Sequence, residues 1–518
     1  MNAITSGLLA GAMLSLGTVA WAASPPSMLR VQINADIRST DPGVNRDDNS
    51  DTVVLHMVEG LVGMREDTSI GPMLATRVDV SDDGLTYTFP LRQGVKFHNG
   101  ATLTADDVVW TWKRYLAPET GWRCLPEFDG HGAAKIVDVQ ATDAQTVTFR
   151  IDQPSALFLR NMVRADCGGS GIYHRASLGD DGKWKLPIGT GPFKFAEWKR
   201  GQQLDLAAFT EYSSLPGERD GFVGGKKAEV DVVRFLVIPD SSAAKTGLYS
   251  GAIDIYASAS SQDMAELVKR KDVASQSWPS MNVVGMLFQT TDPLLKDVRM
   301  RRAIAVALDY DAIAAAVTEG SAPANNSIIP SRSPYHSAVA KQGYQRDLAQ
   351  AKRLLSEAGY QGQPISLIAN KRYEATYNAA VIIQALALEA GINLQIEVLD
   401  WATQLDRYTK GQYQAMVFPY SSRLDPSLSF DMIAGPKAKQ PRKVWDNPAM
   451  QDKLLQSMKI SDQAARQALF DTLHTAMIAD VPMVALFNGV DAAGIGKHVK
   501  GYQTWAADKP RFWNVRKD

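Results

Sequence analysis

The chain has 518 residues. Single hydrophobic cores stop growing at about 250–300 residues, so two or more domains are expected. Apolar residues make up 45% and charged residues 21%, an ordinary globular balance, and the 55 Lys and Arg against 56 Asp and Glu lack the basic excess of a nucleic-acid binder.

The N-terminus reads as an export signal. Residues Ile4 to Ala20 carry no charge and are mostly small or apolar, and Ala20-Trp21-Ala22 offers small residues at the two positions a signal peptidase reads. Cleavage is expected after Ala22, which makes residues 1–22 the signal peptide and the periplasm the destination. A transmembrane anchor is the alternative, but Ser, Gly and Thr dilute the run and Ser24-Pro25-Pro26 follows at once. No Lys or Arg precedes Arg30, so the usual positive n-region is missing.

Two cysteines occur, Cys124 and Cys167, both far from the cleavage site, so no lipid-modified cysteine is expected to tether the mature N-terminus. In an oxidising compartment the pair reads as a disulfide, with two separate thiols as the alternative. Such a bridge would close a loop of about 43 residues and contribute roughly 3–4 kcal/mol.

Leu85, Tyr87, Phe89 and Leu91 alternate with Thr86, Thr88 and Pro90, the period of a half-buried strand. Pro90 cannot donate a ladder hydrogen bond, so an edge position is expected. Thr104 is placed to cap a helix, with Asp107 as the acidic half of a capping box, and Val108, Val109, Trp112 and Tyr115 fall on one face.

From Val230 the pattern alternates. Val230–Ile238 reads as a strand, a short helix runs to Tyr249, and Ile253–Tyr256 is the next strand. Asp297 and Asp309 are positioned to cap two successive helices. Ile365–Ala369, Thr376–Glu389 and Ile392–Val398 form another β-α-β unit. Two separated units of this kind predict two α/β lobes with mostly parallel sheets.

Catalytic signatures are missing: no GxSxG elbow, HExxH, phosphate-binding GxxxxGK[ST] or CxxC occurs. The 7 histidines are scattered singly, with none three or four residues from another, so no local metal-ligand pair exists. Groups brought together only by folding stay open, which keeps a two-domain hydrolase as a distant alternative.

Residues Leu74–Tyr115 (LATRVDVSDDGLTYTFPLRQGVKFHNGATLTADDVVWTWKRY) strongly resemble the signature segment of the bacterial extracellular solute-binding protein family 5, the peptide-, opine- and nickel-binding components of ABC importers. Val58-Glu59-Gly60-Leu61, Gly189–Phe193, Gly251–Asp254, Val298–Asp309, Ala351–Gly359 and Asp425-Pro426 match in the same order.

The resemblance implies an α/β, two-lobed periplasmic binding protein (type II, cluster C-like) with an extra subdomain inserted in lobe one. By analogy, lobe one takes residues 23–51, 175–279 and 483–518, the inserted subdomain 52–174, and lobe two 280–482. It also implies a non-enzymatic, monomeric receptor without a cofactor, metal or nucleic-acid partner. Such a receptor closes on a small solute, peptide-like or opine-like, and hands it to the permease subunits of the importer.

Candidate cleft residues follow from the loops the family places there: Arg38, Met281, Asn282, Arg372, Trp401, Tyr420, Ser422 and Arg423, with Asp425 as a structural residue. Trp401 is either an apolar cleft wall or ordinary core. Arg372 resembles the carboxylate-binding arginine of dipeptide binders, the alternative being a solvated surface arginine. Peptide binders of the family carry an acidic residue about three places before the Asp-Pro pair, where it meets the peptide's α-ammonium; here that place is Ser422, followed by Arg423. A hydroxyl does not neutralise a desolvated ammonium, whereas Arg423 favours an anionic group. This departure points to an opine-like, modified-peptide or acidic sugar-type solute, unless Arg423 faces solvent or pairs with Asp425. No histidine occurs between Tyr344 and Thr472, which disfavours nickel.

Overall fold

The computed structural model describes residues 26–518 apart from Arg46, Ala133 and Ser461, so the expected signal peptide lies outside the described residues. Strand Met28–Ile33 pairs in parallel with Val232–Val237 on one side and Ile255–Tyr256 on the other. Phe193–Lys199, Gln203–Ala208, Val273–Pro279 and Val490–Gly496 complete a seven-stranded sheet through antiparallel pairings. A second, five-stranded sheet has Ile365–Ala369 parallel to Leu394–Val398 and Ala415–Tyr420, flanked by antiparallel Val283–Phe288 and Met483–Phe487. Both sheets are therefore mixed, not mostly parallel as the alternating pattern predicts: the first has a parallel centre and antiparallel margins, the second parallel pairings on one side and antiparallel pairings on the other. The reason is that hairpins such as Phe193–Ala208 add strands without a crossover helix.

Val283–Phe288 is buried along its whole length. Val284, Met286 and Phe288 enter one apolar cluster and Val283 and Leu287 another, so helices cover this sheet on both faces. The helices after it start where the sequence places them: Asp297 accepts from Arg299 N and Asp309 from Ala312 N.

A four-stranded antiparallel sheet carries the Thr86–Pro90 strand. That strand is not at an edge. Asp79–Val80 lies on one side and Thr146–Ile151 on the other, and Pro90 is tolerated as the strand's last residue because the two-residue neighbour reaches only Tyr87 and Thr88. The Ala105–Leu116 helix packs Val108, Trp112 and Tyr115 inward, and the Asp107 carboxylate accepts from Thr104 N at 3.0 Å. Trp112 and Phe149 belong to the same buried cluster as Leu29 and Phe235, so this unit shares the first lobe's core.

The return of the chain begins later than expected. Met483–Phe487 stays hydrogen-bonded to Val283–Phe288, and the crossing falls at Asn488-Gly489 before Val490 joins the first sheet. Asn282 braces this point. Its Oδ1 accepts from Gly489 N at 2.6 Å, its carbonyl from Asn488 Nδ2 at 2.8 Å, and its Nδ2 donates to Asp508 at 3.3 Å. A Cβ on Gly489 would sit 2.5 Å from the Asn282 Oδ1, so any other residue there would push this carboxamide off its bonds. The tail is then fastened by buried Asp254, which meets Arg30, His498 and Lys517 at 2.8, 2.7 and 3.1 Å.

Candidate functional site

Two cavities open between the lobes and share Asp48, Tyr373 and Pro419 as a common wall. One holds about 150 Å³ and the other about 610 Å³. The smaller has an aromatic side and a charged side.

The aromatic side comes from the second lobe. Helix Trp401–Lys410, capped by Asp400, presents Trp401, Leu405 and Tyr408 one turn apart, and strand Ala415–Tyr420 presents Phe418 and Tyr420. Tyr408 stacks on Phe418 at 4.3 Å, Trp401 lies 5.5 Å from Phe418, and Tyr373 meets Trp401 edge-on at 4.9 Å. Buried Gln404 holds these elements in register, donating to Val417 O at 3.0 Å and accepting from Asn370 at 2.7 Å. Asn370 in turn accepts from Tyr373 N at 3.0 Å. Trp401 thus has both predicted characters: it is half-buried against the lobe's core and faces the cavity.

The charged side is built mostly from the first lobe and its inserted unit. The Cys124–Cys167 disulfide is present and joins two irregular segments. The residues next to its sulfurs, Arg123 and Asp166, form an ion pair at 2.9 Å. Asp166 also meets Arg164 at 2.9 Å and, from the other lobe, Arg423 at 3.1 Å. Burial alone would raise the Asp166 carboxyl, but the guanidiniums of Arg164, Arg423 and Arg123 override it and hold the group well below the usual range. Asp51 is in the opposite state: burial outweighs Arg123, 3.5 Å away, and pushes its carboxyl well up. Around the cavity stand Arg123, Arg160, Arg164, Arg423, Arg442 and Lys509 against Asp47, Asp48, Asp51 and Asp166.

Arg423 neither faces solvent nor pairs with Asp425. Its side chain is 11% exposed and donates to Asp166 and to Ser421 Oγ at 3.0 Å. Asp425 caps helix Pro426–Ile433 and is held by Arg466 at 2.6 Å. Ser422 and Tyr420 line the same cavity as Arg423.

Arg372 and Asn282 line the larger cavity. Arg372 crosses the cleft to Asp47, the N-cap of helix Asp48–Val54, at 3.1 Å. Two of the candidates lie elsewhere. Met281 is buried in the hinge, its N–H donating to Ala506 O at 3.2 Å, and lines neither cavity. Arg38 is exposed and also lines neither, its backbone N–H donating to Ser50 Oγ at 2.9 Å. Sequence reasoning missed Asp51, Arg123, Arg164, Asp166, Tyr408, Phe418, Arg442 and Lys509. The cysteines next to Arg123 and Asp166 were the one signal that marked that wall.

The signature of the bacterial extracellular solute-binding proteins, family 5 (middle region), matches residues 69–441. The chain belongs to this family. Among similar proteins, the dipeptide-binding protein of Escherichia coli K12 is 28% identical over 500 residues, covering 91% of this chain and 90% of its own. In structure, this family 5 protein is similar to the ABC transporter-associated periplasmic binding protein DppA of Helicobacter pylori in complex with the peptide STSA. The TM-score is 0.84 at 26% identity, with 95% and 98% of the two chains covered. It is also similar to AgaA of A. tumefaciens R10 in complex with agropinic acid, with a TM-score of 0.81 at 25% identity over 95% and 99% of the chains. The two-lobed architecture and the family membership make this a solute-binding protein. Among the described residues no helix is long and apolar enough to cross a membrane.

Proposed function

We propose that this protein is the periplasmic receptor of an ABC importer: a monomer that captures a peptide or peptide-like solute between its lobes and delivers it to the membrane permease. The observation that carries the reading is the charge-rich, aromatic-walled cavity to which both lobes contribute, with Asp166 and Arg423 meeting across it. A solute touching both walls stabilises the closed state in proportion to its preference for that state, and this shift is what a permease reads. Residues 1–22 act as the cleaved export signal in this reading.

Ser422 supplies no carboxylate for an α-ammonium, but Asp51 in the facing lobe does. Burial raises its carboxyl toward the neutral acid, and an ammonium placed beside it draws it back to the carboxylate. Arg423 and Arg372 are the candidates for the solute's acidic group, each loosened from its present aspartate when solute enters.

A second reading, an opine-like or other anionic solute without a free amine, is favoured by the excess of guanidinium groups around the cavity and by Arg423 beside Ser422. Native mass spectrometry of freshly purified protein identifies a retained solute. Calorimetry with free and N-acetylated dipeptides then separates the readings. The first expects the free amine to bind more tightly. Equal or tighter binding of the acetylated form, lost in Arg423→Ala, establishes the second, and steady chemical turnover of any solute would defeat both.

A further inference from the structure

The smaller cavity has a size and a chemistry that together specify more than a generic cleft. Its volume of about 150 Å³ equals that of an engineered apolar protein cavity that takes up benzene. Trp401, Tyr408, Phe418 and Tyr420 wall it with ring faces and edges, Phe418 lying 5.1 Å from Tyr420 and 4.3 Å from Tyr408. Leu405 and Met432 complete the apolar side. Aromatic pairs favour offset or edge-on contacts with centroids about 4.5–7 Å apart, so a ring entering here finds partners in both geometries.

The larger cavity across the Tyr373–Pro419 wall differs. Asn34, Asn49 and Asn282 contribute hydrogen-bonding groups to its lining beside Tyr256, Phe487 and Phe512, so it is a mixed and roomier chamber that suits the body of a solute. An extended solute that passes Tyr373 has its body in the larger chamber and a side group against the aromatic side of the smaller one.

We propose that the smaller chamber is a specificity pocket for one aromatic ring of the solute, a phenyl-sized side group, with the solute's acidic group left at the arginine cluster beside it. The proposal rests on the receptor reading above and names the solute class for it. Burial of a phenyl group against these rings favours a phenylalanyl over an alanyl solute by tenfold or more. Aliphatic groups of similar length fill the chamber without the edge-on contacts and fall between.

The test is calorimetric titration with pairs that differ only in the ring: Ala-Ala against Ala-Phe and Phe-Ala, and N-acetyl-alanine against N-acetyl-phenylalanine. The ring-bearing member of at least one pair is expected to bind tenfold or more tightly. In Leu405→Trp, which fills the chamber from its half-exposed side, that ratio is expected to fall below threefold. Leu405→Phe, a smaller intrusion, serves if the tryptophan variant unfolds. Equal binding within every pair overturns the ring pocket while leaving the receptor reading intact. Absence of binding by every member at millimolar concentration overturns the receptor reading for these solutes and the pocket with it.

Discussion

Arg423 and Asp166 stand 257 residues apart in sequence and 3.1 Å apart in space, one carried by the second lobe and the other next to a disulfide sulfur of the first. Asp166 holds three guanidiniums together, so its removal leaves Arg123, Arg164 and Arg423 crowded without their shared counter-charge. Asp166→Ala is expected to destabilise the protein by about 3–5 kcal/mol, because uncompensated buried charge is costly. Urea unfolding followed by tryptophan fluorescence measures it.

The disulfide fixes the backbone on both sides of this cluster. For the sequence separation of 43 between Cys124 and Cys167, loop-closure entropy predicts a loss of about 4 kcal/mol on replacing both with serine. Solute affinity is expected to fall as well, since Arg123 and Asp166 flank the sulfurs, and calorimetry on the refolded double variant reads that second effect separately from the melting temperature.

Leu157 reports on closure. It comes from the inserted unit yet is fully buried in the second lobe's cluster, next to Ala156, whose N–H donates to Met458 O at 2.9 Å. Leu157→Ala removes apolar burial that joins the two lobes, about 2 kcal/mol. The solute-free protein is then expected to open, seen as a larger radius of gyration in solution scattering, with saturating solute restoring the wild-type value.

The hinge carries a titration with a defined sign. Burial raises the Asp508 carboxyl to about 6, above its ordinary 3.8. A group raised in the fold binds its proton more tightly there than in the unfolded chain, so its unfavourable contribution is full above pH 6 and disappears as pH falls through 6 toward 3.8. Asp508→Asn mimics the protonated form and still accepts from Asn282. It also suits the positive φ of 54° at this position, which asparagine tolerates well. Its stability gain at pH 7 is expected to be about 1–3 kcal/mol and to shrink below pH 6, measured by thermal melting across that range.

Local patterns were readable, and tertiary ones were read only through resemblance. The Thr104–Asp107 box, the Asp297 and Asp309 caps and the Ile365–Ala369 strand each follow from residues within a few positions of one another. The cleft has no such periodicity. Arg164 and Asp166 lie in an irregular stretch around a short 3-10 turn, Ala165–Ser170, where neither helix nor strand spacing assigns a direction to a side chain. Met281 and Arg38 illustrate the converse: a position inherited from a family loop says which segment nears the cleft, but one residue of offset turns a side chain into the core or out to water. Pairing of Arg423 with Asp425, the alternative that local proximity offered, does not form because Asp425 is taken up by Arg466 and its own helix cap, and the partner it has, Asp166, is distant in sequence.

Both crossings between the lobes are laced through one carboxamide, that of Asn282, which a side chain at Gly489 would displace. Sliding one crossing strand past the other would break that lacing, whereas turning the two together would keep it. Motion is thereby channelled into rotation about a single pivot, and a few atoms gripped far out along the lever arm, where torque is greatest, decide which way the door swings.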